Sequence, residues 1–100
     1  MVRHLIVFNA EAPEEEVLAM FQQARAVLGQ IPGVVGFELG KAIGHAPRYR
    51  WLLVVDFVDE SVIPLYRDHP LHQQFANQVF RPLAQDRLTT DFVRLYPEAP

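Results

Sequence analysis

Residues 49–58 are apolar on both sides of the chain. Trp51, Leu53, Val55 and Phe57 alternate onto one side, and Leu52, Val54 and Val58 onto the other, with Asp56 the exception. A short run of β-branched and aromatic residues reads as a strand. A strand that is apolar on both faces must be covered on both faces. A chain of 100 residues holds one core. Its helices can shield one face, and something else must shield the other.

The neighbouring segments supply the rest of a sheet. Residues 2–8 read as a strand with Val2, His4, Ile6 and Phe8 on one face and Arg3, Leu5, Val7 and Asn9 on the other. Residues 34–43 read as a second, with Val35, Phe37 and Leu39 on one face. Gly36 and Gly40 on its other face predict a bend or the close approach of a bulky group. Residues 89–96 read as the last strand, and residues 97–100 as a loose tail.

Helical periods fill the gaps. Pro13 is expected to open a helix, with Glu14, Glu15 and Glu16 at its positive dipole end. Consecutive carboxylates on a helix point about 100° apart, so the trio reads as a solvated helix start and not as a metal cluster. Val17, Met20, Phe21, Ala24, Val27, Leu28 and Ile31 mark its buried stripe, and Gly29 with Pro32-Gly33 ends it. Asp59 or Ser61 is expected to cap a short helix carrying Val62, Leu65, Tyr66 and His69, with Pro64 in its first turn. Pro70 then starts a helix predicted to reach about Leu83. Leu71, Phe75, Ala76, Val79, Phe80 and Leu83 fill one half of its wheel, and Gln73, Gln74, Asn77, Gln78 and Arg81 the other. Pro82 predicts a kink or stop near the end.

The order β-α-β-β-α-β, with the second helix broken in two, predicts an α+β, ferredoxin-like fold. That fold is a four-stranded antiparallel sheet with helices on one face, formed by a single domain over residues 1–100. The open face would be too apolar for water. A homodimer through that face is expected, burying on the order of 1,600 Å² or more. The absence of cysteine excludes disulfides and thiolate metal sites. Net charge is −3 and the nine Lys and Arg are scattered, which argues against a nucleic-acid partner. No apolar run approaches a membrane span, and the opening run is too short for a signal peptide, so a cytoplasmic protein is expected.

His72 falls near the centre of the apolar half of its helix. An imidazole aimed into a core must find a partner or line a cavity. In a first helical turn the dipole disfavours imidazolium, and a neutral histidine facing a pocket can act as a base. One such histidine is more often a satisfied core residue. Its company shifts the reading: Tyr66 precedes it, and His4 stands in the first strand. His45 reads as an exposed loop residue. His69 and His72 share a helix face and His4 could join them, but no carboxylate is placed to complete a metal site. No metal and no cofactor are expected.

The chain resembles the stress-responsive A/B barrel (Dabb) family of small dimeric α+β barrels. The resemblance rests on Arg3-His4-Leu5-Ile6-Val7-Phe8, Ile31-Pro32-Gly33-Val34 and Val55-Asp56-Phe57-Val58-Asp59. It rests further on Tyr66-Arg67-Asp68-His69-Pro70-Leu71-His72 and the closing Asp91-Phe92. The family includes plant stress proteins, bacterial members and a plant polyketide cyclase that works by an intramolecular aldol reaction. The positions of that cyclase's acid/base pair match His4 and His72, and the tyrosine that orients them matches Tyr66. The resemblance implies a small-molecule site in which His72 abstracts a proton alpha to a carbonyl. Tyr66 would donate a hydrogen bond to His72 or to the enolate, and His4 would bind the substrate oxygen. Analogy with relatives of the barrel fold adds a variant, cofactor-independent oxygenation of an aromatic. The alternative is a non-catalytic, stress-associated structural dimer whose histidines and tyrosine satisfy one another in a filled core.

Overall fold

Strand β1 (Val2–Asn9) leads into helix α1 (Glu14–Leu28), then strands β2 (Val34–Lys41) and β3 (Trp51–Phe57). Helices α2 (Val62–Asp68) and α3 (Pro70–Phe75) follow, then a π-helical segment (Ala76–Phe80), a last turn α4 (Arg81–Leu83) and strand β4 (Asp86–Val93). These elements come from a computed structural model describing residues 1–98. All neighbouring strands are antiparallel, in the order β2-β3-β1-β4. This is the ferredoxin-like arrangement. Residues 99 and 100 of the expected tail lie outside the described residues.

The core is the layer between the sheet and its helices. Val2, Ile6 and Phe8 of β1 and Trp51, Leu53, Val55 and Phe57 of β3 face Val17, Met20, Ala24 and Leu28 of α1. The alternation of β1 and β3 therefore delivers the expected rows. On the helix begun by Pro70, Phe75, Ala76 and Phe80 are buried and Leu71, Val79 and Leu83 partly so. The predicted polar half is exposed.

Three boundaries differ from the expectation, each for a physical reason. Pro13 is the N-cap of α1, not its first residue; its ψ of 155° is extended. In β2 a register shift between Val34 and Gly36 inserts an extra residue. Val34 therefore stands opposite Phe57 on the core side with Phe37 and Leu39, while Val35 is turned out and exposed. Strand β4 begins at Asp86 and ends at Val93, three residues earlier than expected at each end, because its pairing with β1 starts at Asn9↔Asp86. Pro82 supplies the expected disturbance as a π segment. It has no N–H for the Gln78 carbonyl and its ring crowds that group. The preceding helix widens so that the Arg81 N–H reaches the Ala76 carbonyl instead.

The other sheet face carries Leu5, Val7, Leu52, Val54, Leu88 and Phe92 between two charged ends. At one end Arg3 Nε donates to Asp56 Oδ1 at 2.9 Å and Arg3 Nη2 to Glu38 Oε2 at 2.7 Å. At the other, Asn9 Nδ2 and Arg48 Nη1 both donate to Asp86 Oδ2 at 2.9 Å. The bulky group beside Gly36 is Asp56: a Cβ at Gly36 would stand 3.3 Å from its Oδ2.

Gly33 closes the turn before β2 at φ 92°, with its carbonyl accepting from Val58 N at 2.9 Å. An added Cβ would lie 2.4 Å from Val62 Cγ2. Gly33→Ala is expected to destabilise the fold by about 2 kcal/mol or more, from left-handed strain plus overpacking. The measurement is the urea midpoint, which should fall with the slope retained.

Candidate functional site

β1 delivers His4 to the helix side of the sheet, in the row of Val2, Ile6 and Phe8. Its neighbours in register are Val55 on β3 and Asp91 on β4. The His4 Nδ1–H donates to Asp91 Oδ1 at 2.6 Å. The His4 ring stacks on Phe57 at 5.7 Å between centroids and lies 5.6 Å from Tyr66.

Tyr66 comes from α2, where its ring packs 4.7 Å from Phe57 and 4.3 Å from the His72 ring. His72 lies in the first turn of α3. Its Nδ1–H donates to the Arg67 carbonyl at 3.0 Å, and Gln73 Nε2 donates to the same oxygen at 2.6 Å. A carbonyl and a carboxylate can only accept, so Nδ1 carries the proton on both histidines. Nε2 is then the free nitrogen of each. Among the described residues neither Nε2 nor the Tyr66 hydroxyl has a hydrogen-bond partner, yet no fully covered side-chain nitrogen or oxygen is unpartnered. The three atoms are therefore reached from outside the packed core.

The three expected residues thus meet in one cluster. One further residue belongs to it. Asp91 holds His4 and came from the fourth strand, where only strand register reveals it. His69 does not share a ligand set with His72. Its Nδ1 accepts from Leu71 N at 3.1 Å and caps α3. Among the described residues no three His, Cys, Asp or Glu side chains group as a metal site. His45 is exposed in its loop. Four clefts of about 670, 460, 260 and 280 Å³ lie elsewhere, and none is bordered by His4, Tyr66 or His72.

Burial sets the protonation states. It pushes the His72 imidazole below its ordinary 6.5, against the pull of the Arg67 carbonyl, and the positive charge of Arg81 pushes the same way as burial. His72 is therefore neutral at neutral pH. Burial raises the Tyr66 phenol above its ordinary 10, and the Asp91 charge adds to that. Tyr66 stays a hydrogen-bond donor.

The family profile of the Stress Responsive A/B Barrel Domain (Dabb) matches residues 2–94. No curated protein matches the sequence. Among solved structures, a Dabb family protein with a ferredoxin-like fold from Mesorhizobium loti is 28% identical over 94% of this chain and 96% of that one, with a TM-score of 0.80. A dimeric ferredoxin-like protein of unknown function from Thermobifida fusca is 23% identical over 93% and 90%, with a TM-score of 0.75. A hydroxynitrile lyase from Passiflora edulis is 12% identical over 98% and 96%, with a TM-score of 0.80. Likeness to the last two shows the fold alone. Among the described residues no helix is long and apolar enough to cross a membrane.

Both burial effects give stability a pH dependence with a definite sign. The His72 contribution is full above 6.5 and is lost as pH falls through its lower folded value. The Tyr66 contribution is full below 10 and is lost as pH rises through its higher folded value. Thermal melts across pH should show both flanks. His72→Asn, which keeps a donor for the Arg67 carbonyl, should flatten the acid flank, and Tyr66→Phe the alkaline one. An acid flank unchanged in His72→Asn would contradict the assignment.

Proposed function

Because the chain belongs to the stress-responsive A/B barrel (Dabb) family, we propose that it forms a homodimer through its open sheet face and uses His4, Tyr66 and His72 on a small molecule. The substrate class is a small carbonyl or aromatic compound, and the chemistry is acid/base. The observation that carries this reading is the contact of the three rings, each with a free polar atom reached from outside.

The hydrogen bonds support a role for each residue. His72 has its Nδ1 proton tied to the Arg67 carbonyl, so its Nε2 lone pair is ready to take a proton alpha to a carbonyl. Its burial keeps it a base at neutral pH. Tyr66 donates a hydrogen bond from its hydroxyl to the enolate oxygen that forms and keeps its proton. His4 has its Nδ1–H held by the Asp91 carboxylate, so its Nε2 lone pair binds the substrate oxygen by accepting from a hydroxyl there. A hydroxynitrile lyase with this fold is a neighbour that does chemistry on a small molecule.

The dimer is supported by the exposed apolar strip on the sheet, where Leu88 and Phe92 are 57% and 51% open in the single chain. The dimeric Thermobifida fusca neighbour supports it too. A specific observation also favours the structural reading. Tyr66 is only 4% exposed, and none of the four clefts borders the three rings.

Two experiments separate these readings. In sedimentation equilibrium at micromolar concentration the protein should be a dimer, and Phe92→Asp should shift it toward monomer; a monomeric wild type would refute the covered sheet. Titration with acetophenone as a carbonyl probe, followed by NMR, should perturb resonances around Tyr66 and lose that response in folded, dimeric His72→Ala. For a substrate that turns over, the same substitution should cost about 10²–10⁴ in rate. Probe binding that survives His72→Ala unchanged would leave the structural reading standing.

A further inference from the structure

We propose that His69 is a positioning residue for His72: its imidazole caps α3 as an acceptor and thereby fixes the ring that the acid/base reading employs. This inference rests on that reading for its functional meaning, but its geometry stands apart.

Helix N-caps are normally Ser, Thr, Asp or Asn, whose side-chain oxygen accepts from the first turn. Here a ring nitrogen does so, with Leu71 N donating to His69 Nδ1 at 3.1 Å. The bond requires a lone pair on Nδ1, so the neutral ring carries its proton on Nε2. The donors of the first turn are then accounted for almost completely. Pro70 has no N–H, Leu71 is bonded to the cap, and Gln73 N reaches the His69 carbonyl at 3.0 Å. Only the His72 N–H is left over.

The same residue also closes the previous helix. His69 N donates to the Tyr66 carbonyl at 3.2 Å, and its extended backbone (φ −67°, ψ 134°) turns the chain between α2 and α3. His72 depends on that elbow from both sides. Its Nδ1 bond reaches back to Arg67 near the end of α2, and its ring lies against Tyr66 of α2. The distance between the Arg67 carbonyl and the first turn of α3 must therefore hold. His69 ties one end with its backbone and the other with its side chain. The constellation Tyr66, His69, Pro70 and His72 then reads as one device. Tyr66 and His72 face the substrate, Pro70 presets the first helical φ, and His69 locks the turn.

The test is the protonation pattern of the His72 ring in long-range ¹H–¹⁵N NMR spectra of the full chain. Three variants are compared. In His69→Asn the side-chain oxygen sits near the place of Nδ1 and can cap. In His69→Gln the oxygen reaches the place of Nε2 and cannot. His69→Ala has no acceptor. Wild type and His69→Asn should show His72 as a single tautomer protonated on Nδ1. His69→Gln and His69→Ala should show a mixture, since loss of a cap shifts the local equilibrium by roughly 2- to 30-fold. If His69→Ala fails to fold, the Asn and Gln pair still decides. A His72 signature unchanged in the Gln variant, or restored equally by Asn and Gln, overturns the proposal. Acetophenone titration of each variant keeps the two claims apart. Tautomer mixing in His69→Gln without probe binding by wild type would sink the functional reading and leave the positioning role intact.

Discussion

The register of β1 against its two neighbours is the constraint on which the site depends. Side chains on a strand alternate, so a slip of one residue would move His4 to the open face and Arg3 into the core. The register is held from both faces. On the core side Val2, Ile6 and Phe8 are each less than a tenth exposed. On the open side Arg3 holds Asp56 and Glu38, and Asn9 holds Asp86 and the Arg50 N–H. An imidazole can stand in that row of hydrophobes because the pairing that puts it there also sets Asp91 beside it. Burying a polar group without such a partner would cost stability.

The aromatic packing then sets the protonation of the cluster. Phe57 supports both His4 and Tyr66, and Tyr66 supports His72. The apolar contacts hold the rings and depress charge on His72 and Tyr66. The hydrogen bonds to Asp91 and the Arg67 carbonyl decide which nitrogen of each histidine stays free. Packing and polarity therefore act on different atoms of the same side chains.

Much of this was legible in the residues. The alternation in β1 and β3, the period of α1 and the wheel begun by Pro70 each report a local repeat, and local repeats survive folding. The meeting of His4, Tyr66 and His72 was legible through their faces and through the family motif. What was hidden is what depends on distant pairing. Asp91 lies 87 residues from His4 in sequence, and nothing local says that the two strands align there. The start of β4 was hidden because residues 86–88 alternate poorly, and Asp86 earns its place through Asn9 and Arg48. The bulge that expels Val35 and the cap formed by His69 were hidden for another reason. Propensity assigns Val to a strand and does not name His as a cap.

The π segment has a consequence for how the long helix is phased. Nine steps of about 100° leave Phe80 about 180° from Leu71 on an unbroken α-helix, at the far edge of the apolar arc. A π turn takes in one extra residue and so rotates the residues beyond it back by about one step. That rotation returns Phe80 toward Phe8, where the two rings meet edge to face at 5.4 Å. The two halves of the helix are thereby clocked separately, with His72 aligned by the elbow at one end and Phe80 seated on the sheet at the other. Deleting a single residue between Ala76 and Phe80 would keep one alignment only by forfeiting the other.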